Sequence, residues 1–206
     1  ESDVSVDLMA EDILALTKVL KAKYGNDIKL FLLGHSWGGT LGSATLLKDQ
    51  RHFSGWIDVD GSHDPKGSYN AYKRTLKEIA DEQIALENSI DHWKNVLETL
   101  KNVGAEYYDD DFFKLNKAAH TSEEKLMDDG LINQAINDNE GLQHNFFTNV
   151  WNTRKIQSIL VKKGLFKDIS FTDRLNEITI PSLVLWGKHD IIVPAVYAQE
   201  AYENLG

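Results

Sequence analysis

Residues 29–38 read KLFLLGHSWG, a short apolar run that passes directly into a glycine-rich turn around a serine. The apolar part has no polar alternation, which is typical of a strand covered on both faces, as in a parallel sheet. An amphipathic helix is predicted before it at residues 3–24, and a small-residue helix after it at residues 40–48. A buried strand that leads through a tight turn into a helix is typical of α/β architecture.

The turn has the pattern Gly-x-Ser-x-Gly, with Gly34 and Gly38 on either side of Ser36. We expect a sharp turn with a strained Ser36, in which side chains at positions 34 and 38 would collide, so that both must be glycine. The Ser36 hydroxyl would then lie at a helix N-terminus, where the Trp37 backbone N–H can stabilise a developing oxyanion. Ser36 is therefore the candidate nucleophile. The competing interpretation is a glycine-rich turn with a solvent-facing serine.

Two further apolar runs predict strands, GWIDVDG at residues 55–61 and SLVLWG at residues 182–187. Asp190 follows the second run, in a loop before a helix that should begin near Pro194. Open α/β sheets bind their ligands at the carboxyl ends of the strands, and a carboxylate placed there can orient a histidine. Asp190 is therefore the candidate acid. Its alternative role is a helix cap or a loop turn.

About a hundred residues between the second and third predicted strands show helical spacing. Apolar residues keep this spacing through residues 72–100, and more helical stretches are expected at 112–119, 122–127 and 146–163. We predict a helical lid (cap) over residues 66–174, inserted into an α/β core formed by residues 1–65 and 175–206. The lid's aromatic side chains are expected to form mainly its own core.

These segments together resemble a partial α/β-hydrolase fold. The stretch GHSWGGTLG at residues 34–42, with tryptophan directly after the serine, is similar to the nucleophile elbow of the prolyl-iminopeptidase-like branch of that superfamily. Gly187-x-x-Asp190 followed by Val193-Pro194 resembles the superfamily's acid loop. Members of that branch also have a helical lid between these two segments.

The resemblance implies a serine hydrolase that cleaves an ester or amide bond of a small molecule or short peptide, such as an aminopeptidase of the prolyl-iminopeptidase type. By position, Ser36 is the nucleophile, Trp37 gives one oxyanion N–H and Asp190 is the acid. The elbow does not encode the leaving group, so a carboxylesterase or lipase-like enzyme is an alternative. A non-catalytic ligand-binding protein on the same fold is the alternative from another class. Ser-His-Asp chemistry needs neither a metal nor an organic cofactor.

Two parts of the family's pattern are missing from this sequence. The family's general base follows one further strand after the acid, and no histidine lies between Asp190 and Gly206. The second oxyanion donor of the family comes from a loop before the region where this chain starts. We therefore expect a fragment of a longer hydrolase, lacking the first strands and the terminal strand with the catalytic histidine.

A histidine within the chain is the alternative source of the base. His63 is the best candidate, since it follows the second predicted strand on the side of the sheet expected to carry Ser36. Asp60 and Asp64, in the same segment, are alternative acids. His35 is expected to pack beneath the elbow, and His189 to turn its ring away from the neighbouring acid. The other histidines are expected on the surface or in the lid, namely His52, His92, His120 and His144.

The composition narrows the range of partners. The 206 residues include 22 Lys and Arg against 32 Asp and Glu, and the resulting charge of −10 argues against duplex nucleic acid and anionic membranes. No apolar run approaches the roughly 18 residues of a transmembrane helix. The lack of cysteine excludes disulfides but leaves the compartment open. The strands that carry Ser36 and Asp190 would both be sheet edges, through which a homo-oligomer could form.

Overall fold

The computed structural model describes residues 4–132 and 158–206. The chain divides into two compact units, a core unit (Glu1–Ser68 with Lys163–Gly206) and a helical unit (Tyr69–Lys162). The helical unit is shorter than the predicted lid. Backbone hydrogen bonds from Lys66 to Ile169 (2.9 Å) and from Phe171 to His63 (3.0 Å) join the segment after residue 162 to the core unit.

A parallel sheet of three strands forms the centre of the core unit, in the order β1 (Phe31–His35), β2 (Gly55–Val59) and β3 (Ser182–Leu185). The register pairs Gly34 with Asp58 and Asp58 with Val184. Because the strands are parallel, their carboxyl ends meet at the same edge of the sheet. Within the described ranges, β1 and β3 are the outer strands.

Helices of the core unit follow the order that the periodicity predicts. Helix α1 (Val6–Tyr24) begins where the Ser5 side chain accepts the Leu8 N–H at 3.1 Å, and it ends at Gly25 with a φ of 105°. The remaining elements are α2 (Trp37–Asp49), the one-turn α6 (Leu165–Asp168), a 3₁₀ helix (Thr172–Glu177) and α7 (Val196–Asn204).

One face of the sheet carries the hydrophobic core. Trp56 of β2 packs there with Leu46 of α2 and with further buried side chains, namely Phe53, Leu175, Ile178 and Ala201. On the opposite face Phe31 and Leu33 are each 61% exposed. The prediction that β1 is covered on both faces is therefore wrong for the described residues, because the helices that flank β1 in sequence pack on one face only.

The helical unit contains α3 (Ser68–Ala85), α4 (Ile90–Lys101) and α5 (Asp109–Asp128). The stretch of helical spacing at residues 72–100 is divided between α3 and α4, and Glu87 and Ser89 in the connection have φ of 57° and 43°. Conversely, the two stretches predicted at 112–119 and 122–127 form one continuous helix, α5. Of the last predicted stretch, residues 158–162 are helical and residues 146–157 lie outside the described ranges.

Buried side chains from all three helices form the core of this unit: Leu76, Ala80, Trp93, Phe112 and Leu115. Of the lid's aromatic side chains, Trp93 and Phe112 are buried in this core, whereas Tyr108 and Phe113 are exposed. Among the helices that the structure describes, none is long and apolar enough to cross a membrane.

Candidate active site

The serine turn lies at the junction of β1 and α2, and Ser36 has a φ of 53° and a ψ of −116°. A positive φ is unfavourable for a residue with a side chain, and it persists only where the surroundings over-determine it. Three backbone hydrogen bonds do so here. The Ser36 N–H donates to Val59 at 3.1 Å, and the Ser36 carbonyl accepts the N–H groups of Gly39 at 2.9 Å and Ser62 at 3.0 Å.

Only one of the two flanking glycines is required by space. A Cβ on Gly34 would lie 2.3 Å from the carbonyl oxygen of Gly38, which the backbone cannot accommodate without shifting. Outside the backbone of its own helix, a Cβ on Gly38 would meet no heavy atom of the described residues within 4 Å. Among the described residues, the predicted need for glycine therefore holds for Gly34 and not for Gly38. The reason is that Gly38 lies in the first turn of α2 and presents its carbonyl, rather than its α-carbon substituent, to Gly34.

Trp37 is the first residue of α2 and is half-buried. The first N–H groups of a helix have no acceptor within the helix, and the helix dipole adds positive potential at this end. The Trp37 N–H is therefore a candidate donor to an oxyanion formed on a carbon bonded to Ser36 Oγ.

The acid loop follows β3 and brings Asp190 to the same edge of the sheet. The half-buried Asp190 accepts the Val193 N–H on Oδ1 at 2.8 Å, and its own N–H donates to the Gly187 carbonyl at 3.1 Å. Trp186 Nε1 donates to the Val193 carbonyl at 2.8 Å, which holds the exit of the loop. Asp190 thus stabilises its own loop through Oδ1.

The two alternative acids differ in their surroundings. Asp60 has a φ of 45°, and its Oδ1 accepts the Gly187 N–H at 2.7 Å, so it contacts the acid loop directly. Asp64 accepts the Tyr197 hydroxyl on its backbone carbonyl at 3.2 Å. The structure therefore brings Asp60, but not Asp64, into a hydrogen bond with the loop that carries Asp190.

His63 is enclosed in the core unit and is only 1% exposed. Its Nε2 lies 3.4 Å from Oε2 of Glu200, and its ring packs edge-on against Tyr197 with the centroids 5.2 Å apart. A general base has to reach the proton that it abstracts. The described contacts of the His63 side chain are with Glu200 and Tyr197 of α7 rather than with the serine turn.

The other histidines are spread over the molecule. His35 is exposed on the open face of β1, so the expectation that it packs beneath the elbow is wrong. His52 lies 3.6 Å from an Asp49 carboxylate oxygen, and His92 of α4 lies 3.2 Å from the Ser122 hydroxyl. His120 and His189 are exposed, and His144 lies outside the described ranges.

Two acidic residues near this edge were not singled out by the sequence reasoning. Asp58 is 4% exposed, and burial raises its pKa to about 6, an effect that nearby His63 opposes and Asp60 reinforces. The signal for Asp58 was its position two residues after Trp56, on the inward face of β2. Nothing in the local sequence of α7 marks Glu200 as the partner of His63.

Comparisons with known proteins agree with this arrangement. The family model described as "Serine aminopeptidase, S33" matches residues 4–206. The chain is 27% identical over 208 residues to a proline iminopeptidase of Saccharolobus solfataricus, covering 99% of this chain and 59% of that protein. A proline iminopeptidase of Thermoplasma volcanium is 24% identical over 193 residues, covering 93% of this chain and 59% of that protein.

A solved structure of an alpha/beta fold family hydrolase from Bacillus anthracis str. Sterne aligns with a TM-score of 0.46 and 20% identity, covering 96% of this chain and 63% of that chain. The chain thus spans about three fifths of the length of the curated relatives that it matches. The family model covers nearly every residue of the chain, which confirms the resemblance drawn from the elbow and the acid loop. The chain therefore belongs to the serine aminopeptidase family S33.

Proposed function

We propose that this chain carries the nucleophile and the acid of a serine hydrolase that acts as an aminopeptidase. The observation that carries the proposal is the left-handed conformation of Ser36 at the junction of β1 and α2. Backbone strain of this kind is retained where function needs it, and in the nucleophile elbow it exposes a serine hydroxyl above the sheet. A solvent-facing serine in an ordinary turn needs no such strain.

The proposed reaction is acyl transfer through Ser36. A histidine removes the proton from Ser36 Oγ, which attacks the substrate carbonyl carbon, and the Trp37 N–H stabilises the resulting oxyanion. The histidine then donates its proton to the leaving amine as the carbon–nitrogen bond breaks. Water next gives a proton to the histidine and attacks the acyl carbon, and the bond to Ser36 Oγ breaks as the histidine returns that proton to the serine. Asp190 orients the imidazole and stabilises its charged form.

The names of the relatives guide the choice of substrate. Both curated relatives are proline iminopeptidases, which supports a short peptide with an N-terminal proline as the first substrate to test. An ester of the same acyl group tests the esterase alternative. Hydrolysis of a prolyl amide that exceeds hydrolysis of simple acyl esters supports the peptidase, and the opposite order supports the esterase.

Active-site labelling tests the nucleophile directly. The protein at its full natural length should react with a fluorophosphonate probe, and Ser36→Ala should abolish the labelling. Ser62→Ala is the matched control, because the Ser62 N–H lies 3.0 Å from the Ser36 carbonyl and the two serines share one edge of the sheet. Labelling that persists in Ser36→Ala, or that disappears in Ser62→Ala alone, would contradict the proposal.

The source of the base is tested in the same assay. The burial of His63 and its contact with Glu200 support a base supplied by another histidine. His63→Gln should therefore retain labelling once folding has been checked by circular dichroism, as should the exposed control His189→Gln. Loss of a triad member costs on the order of 10⁴-fold or more, so a loss of that size in folded His63→Gln would identify His63 as the base instead.

A further inference from the structure

Two consecutive residues at the end of β2 connect the serine turn to the acid loop. The Val59 carbonyl accepts the Ser36 N–H at 3.1 Å. The next residue, Asp60, donates its N–H to the Leu185 carbonyl at 2.9 Å and accepts the Gly187 N–H on Oδ1 at 2.7 Å. The last residue of β2 and the residue after it therefore hold the candidate nucleophile on one side and the loop of the candidate acid on the other.

The backbone of Asp60 indicates that this connection is maintained against strain. Its φ of 45° lies in the left-handed region, which few residues other than glycine adopt without cost. Aspartate and asparagine tolerate it better than most residues because their short polar side chains bond locally. At 2.7 Å the bond to Gly187 has the short length of a charge-assisted hydrogen bond.

Both backbone polar groups of Gly187 make hydrogen bonds. Its N–H donates to Asp60, and its carbonyl accepts the Asp190 N–H at 3.1 Å. A displacement of Gly187 therefore moves the backbone of Asp190, whose carboxylate is also tied to the Val193 N–H. Hydrogen bonds therefore connect Asp60 to Asp190 through this glycine.

We propose that Asp60 is a positioning residue, whose carboxylate holds the Gly187 amide and thereby sets the place of Asp190 relative to Ser36. This role rests on the proposed function, in which Asp190 is the acid. It differs from the role of an alternative acid, because positioning needs only an acceptor oxygen at Asp60, whereas orienting an imidazolium needs the negative charge.

The experiment compares Asp60→Gly with Asp60→Asn in the protein at its full natural length. Both replacements suit a positive φ, so neither adds backbone strain. Asparagine keeps the acceptor oxygen, while glycine removes it. Both variants remove the same charge, so any effect of that charge on the neighbouring Asp58 is common to the two.

The first readout is the rate constant of fluorophosphonate labelling as a function of pH. Misplacement of a catalytic group by about 1 Å can cost about a hundredfold, so Asp60→Gly should label about ten- to a hundredfold more slowly. Its acid limb should also move to lower pH, because a displaced Asp190 stabilises the imidazolium less and the pKa of the base falls. Asp60→Asn should match the unchanged protein in both rate and midpoint. A purely structural role would lower the labelled fraction without moving the midpoint.

The second readout needs no activity. Hydrogen exchange of the Gly187 amide, followed by NMR, should be faster in Asp60→Gly than in the unchanged protein and unaltered in Asp60→Asn.

Three results would overturn the proposal. If Asp60→Gly labels normally, the loop is placed without Asp60. If Asp60→Asn is as slow as Asp190→Asn, Asp60 supplies charge and is itself the acid. If Ser36 is not labelled in any variant, the proposed function fails and the positioning role fails with it. Normal labelling of Ser36 in the unchanged protein and in Asp60→Asn, with slower labelling in Asp60→Gly and in Asp190→Asn, supports both.

Discussion

The Ser36 backbone nitrogen lies 3.1 Å from the Val59 carbonyl oxygen, so the serine turn is bonded to the neighbouring strand as well as to its own helix. In the ladder of β1 and β2, His35 pairs with Val59, and the bond from Ser36 continues this pairing one residue beyond the strand. The unfavourable φ of Ser36 is therefore held by sheet pairing. This relationship has measurable consequences for stability.

Relief of the strain at Ser36 should stabilise the protein. Glycine accepts a φ of 53° without cost, and a strained non-glycine residue stores about 1–3 kcal/mol. Part of the gain is offset by the greater entropy of glycine in the unfolded chain, about 0.4–1 kcal/mol. We expect Ser36→Gly to raise the free energy of unfolding by about 1 kcal/mol, measured by urea denaturation.

The matched control for that measurement is Ser62→Gly. Ser62 is not among the residues with positive φ, so glycine relieves nothing there and should lower the free energy of unfolding. Equal effects at the two positions would show that Ser36 is not strained.

The two elbow glycines should respond differently to alanine. Gly34→Ala places a methyl group 2.3 Å from the Gly38 carbonyl oxygen and should cost about 3 kcal/mol of unfolding free energy. Gly38→Ala lies in the first turn of α2, where its methyl group meets no described atom outside the helix backbone, and should stabilise the protein by up to about 1 kcal/mol. Thermal and urea unfolding of the two variants check this. A Gly38→Ala variant as unstable as Gly34→Ala would contradict the geometry of the turn.

The contact of α2 with β2 depends on the pair Gly42 and Trp56. A Cβ on Gly42 would lie 2.1 Å from Cη2 of the Trp56 ring, so Gly42→Ala should cost about 3 kcal/mol of unfolding free energy. Phenylalanine lacks the outer atoms of the indole, and the same change in a Trp56→Phe background should cost less. We expect a coupling energy of about 1–3 kcal/mol in this double-mutant cycle. The corresponding cycle with Gly38→Ala should be additive, and a similar coupling there would argue against a specific contact.

The buried carboxyl of Asp58 should make stability depend on pH. Burial raises its pKa from 3.8 to about 6, so between these values the folded protein keeps a proton that the unfolded chain has lost. The free energy of unfolding should therefore fall by about 3 kcal/mol as the pH rises from about 4 to about 6, and this contribution should be constant outside that range.

Urea unfolding at a series of pH values checks this expectation. Asp58→Asn should remove this part of the pH dependence, since the amide does not ionise. Asp27→Asn, at an exposed position, is the matched control and should leave the slope unchanged. An unchanged slope in Asp58→Asn would show that another group titrates in this range.

The amino-acid sequence by itself determined the local architecture of the site. The apolar run at residues 29–33, the glycine at position 34 and the small residues of α2 are sufficient to predict a strand, a sharp turn and a helix around Ser36. This was possible because the decisive clash, between Gly34 and the Gly38 carbonyl, involves residues only four positions apart. The position of Asp190 in the loop after β3 was predictable for a similar reason, since this loop directly follows an apolar run.

Only the tertiary structure shows which residues connect the serine turn to the acid loop. The bond of Asp60 to Gly187 joins residues 127 positions apart, and it exists because β2 lies between β1 and β3 in parallel register. The burial of His63 against Glu200, 137 positions later, has the same origin. Periodicity and turn patterns report only on neighbours along the chain. Contacts between distant residues depend on the order and register of the strands, which the sheet establishes only when the chain has folded.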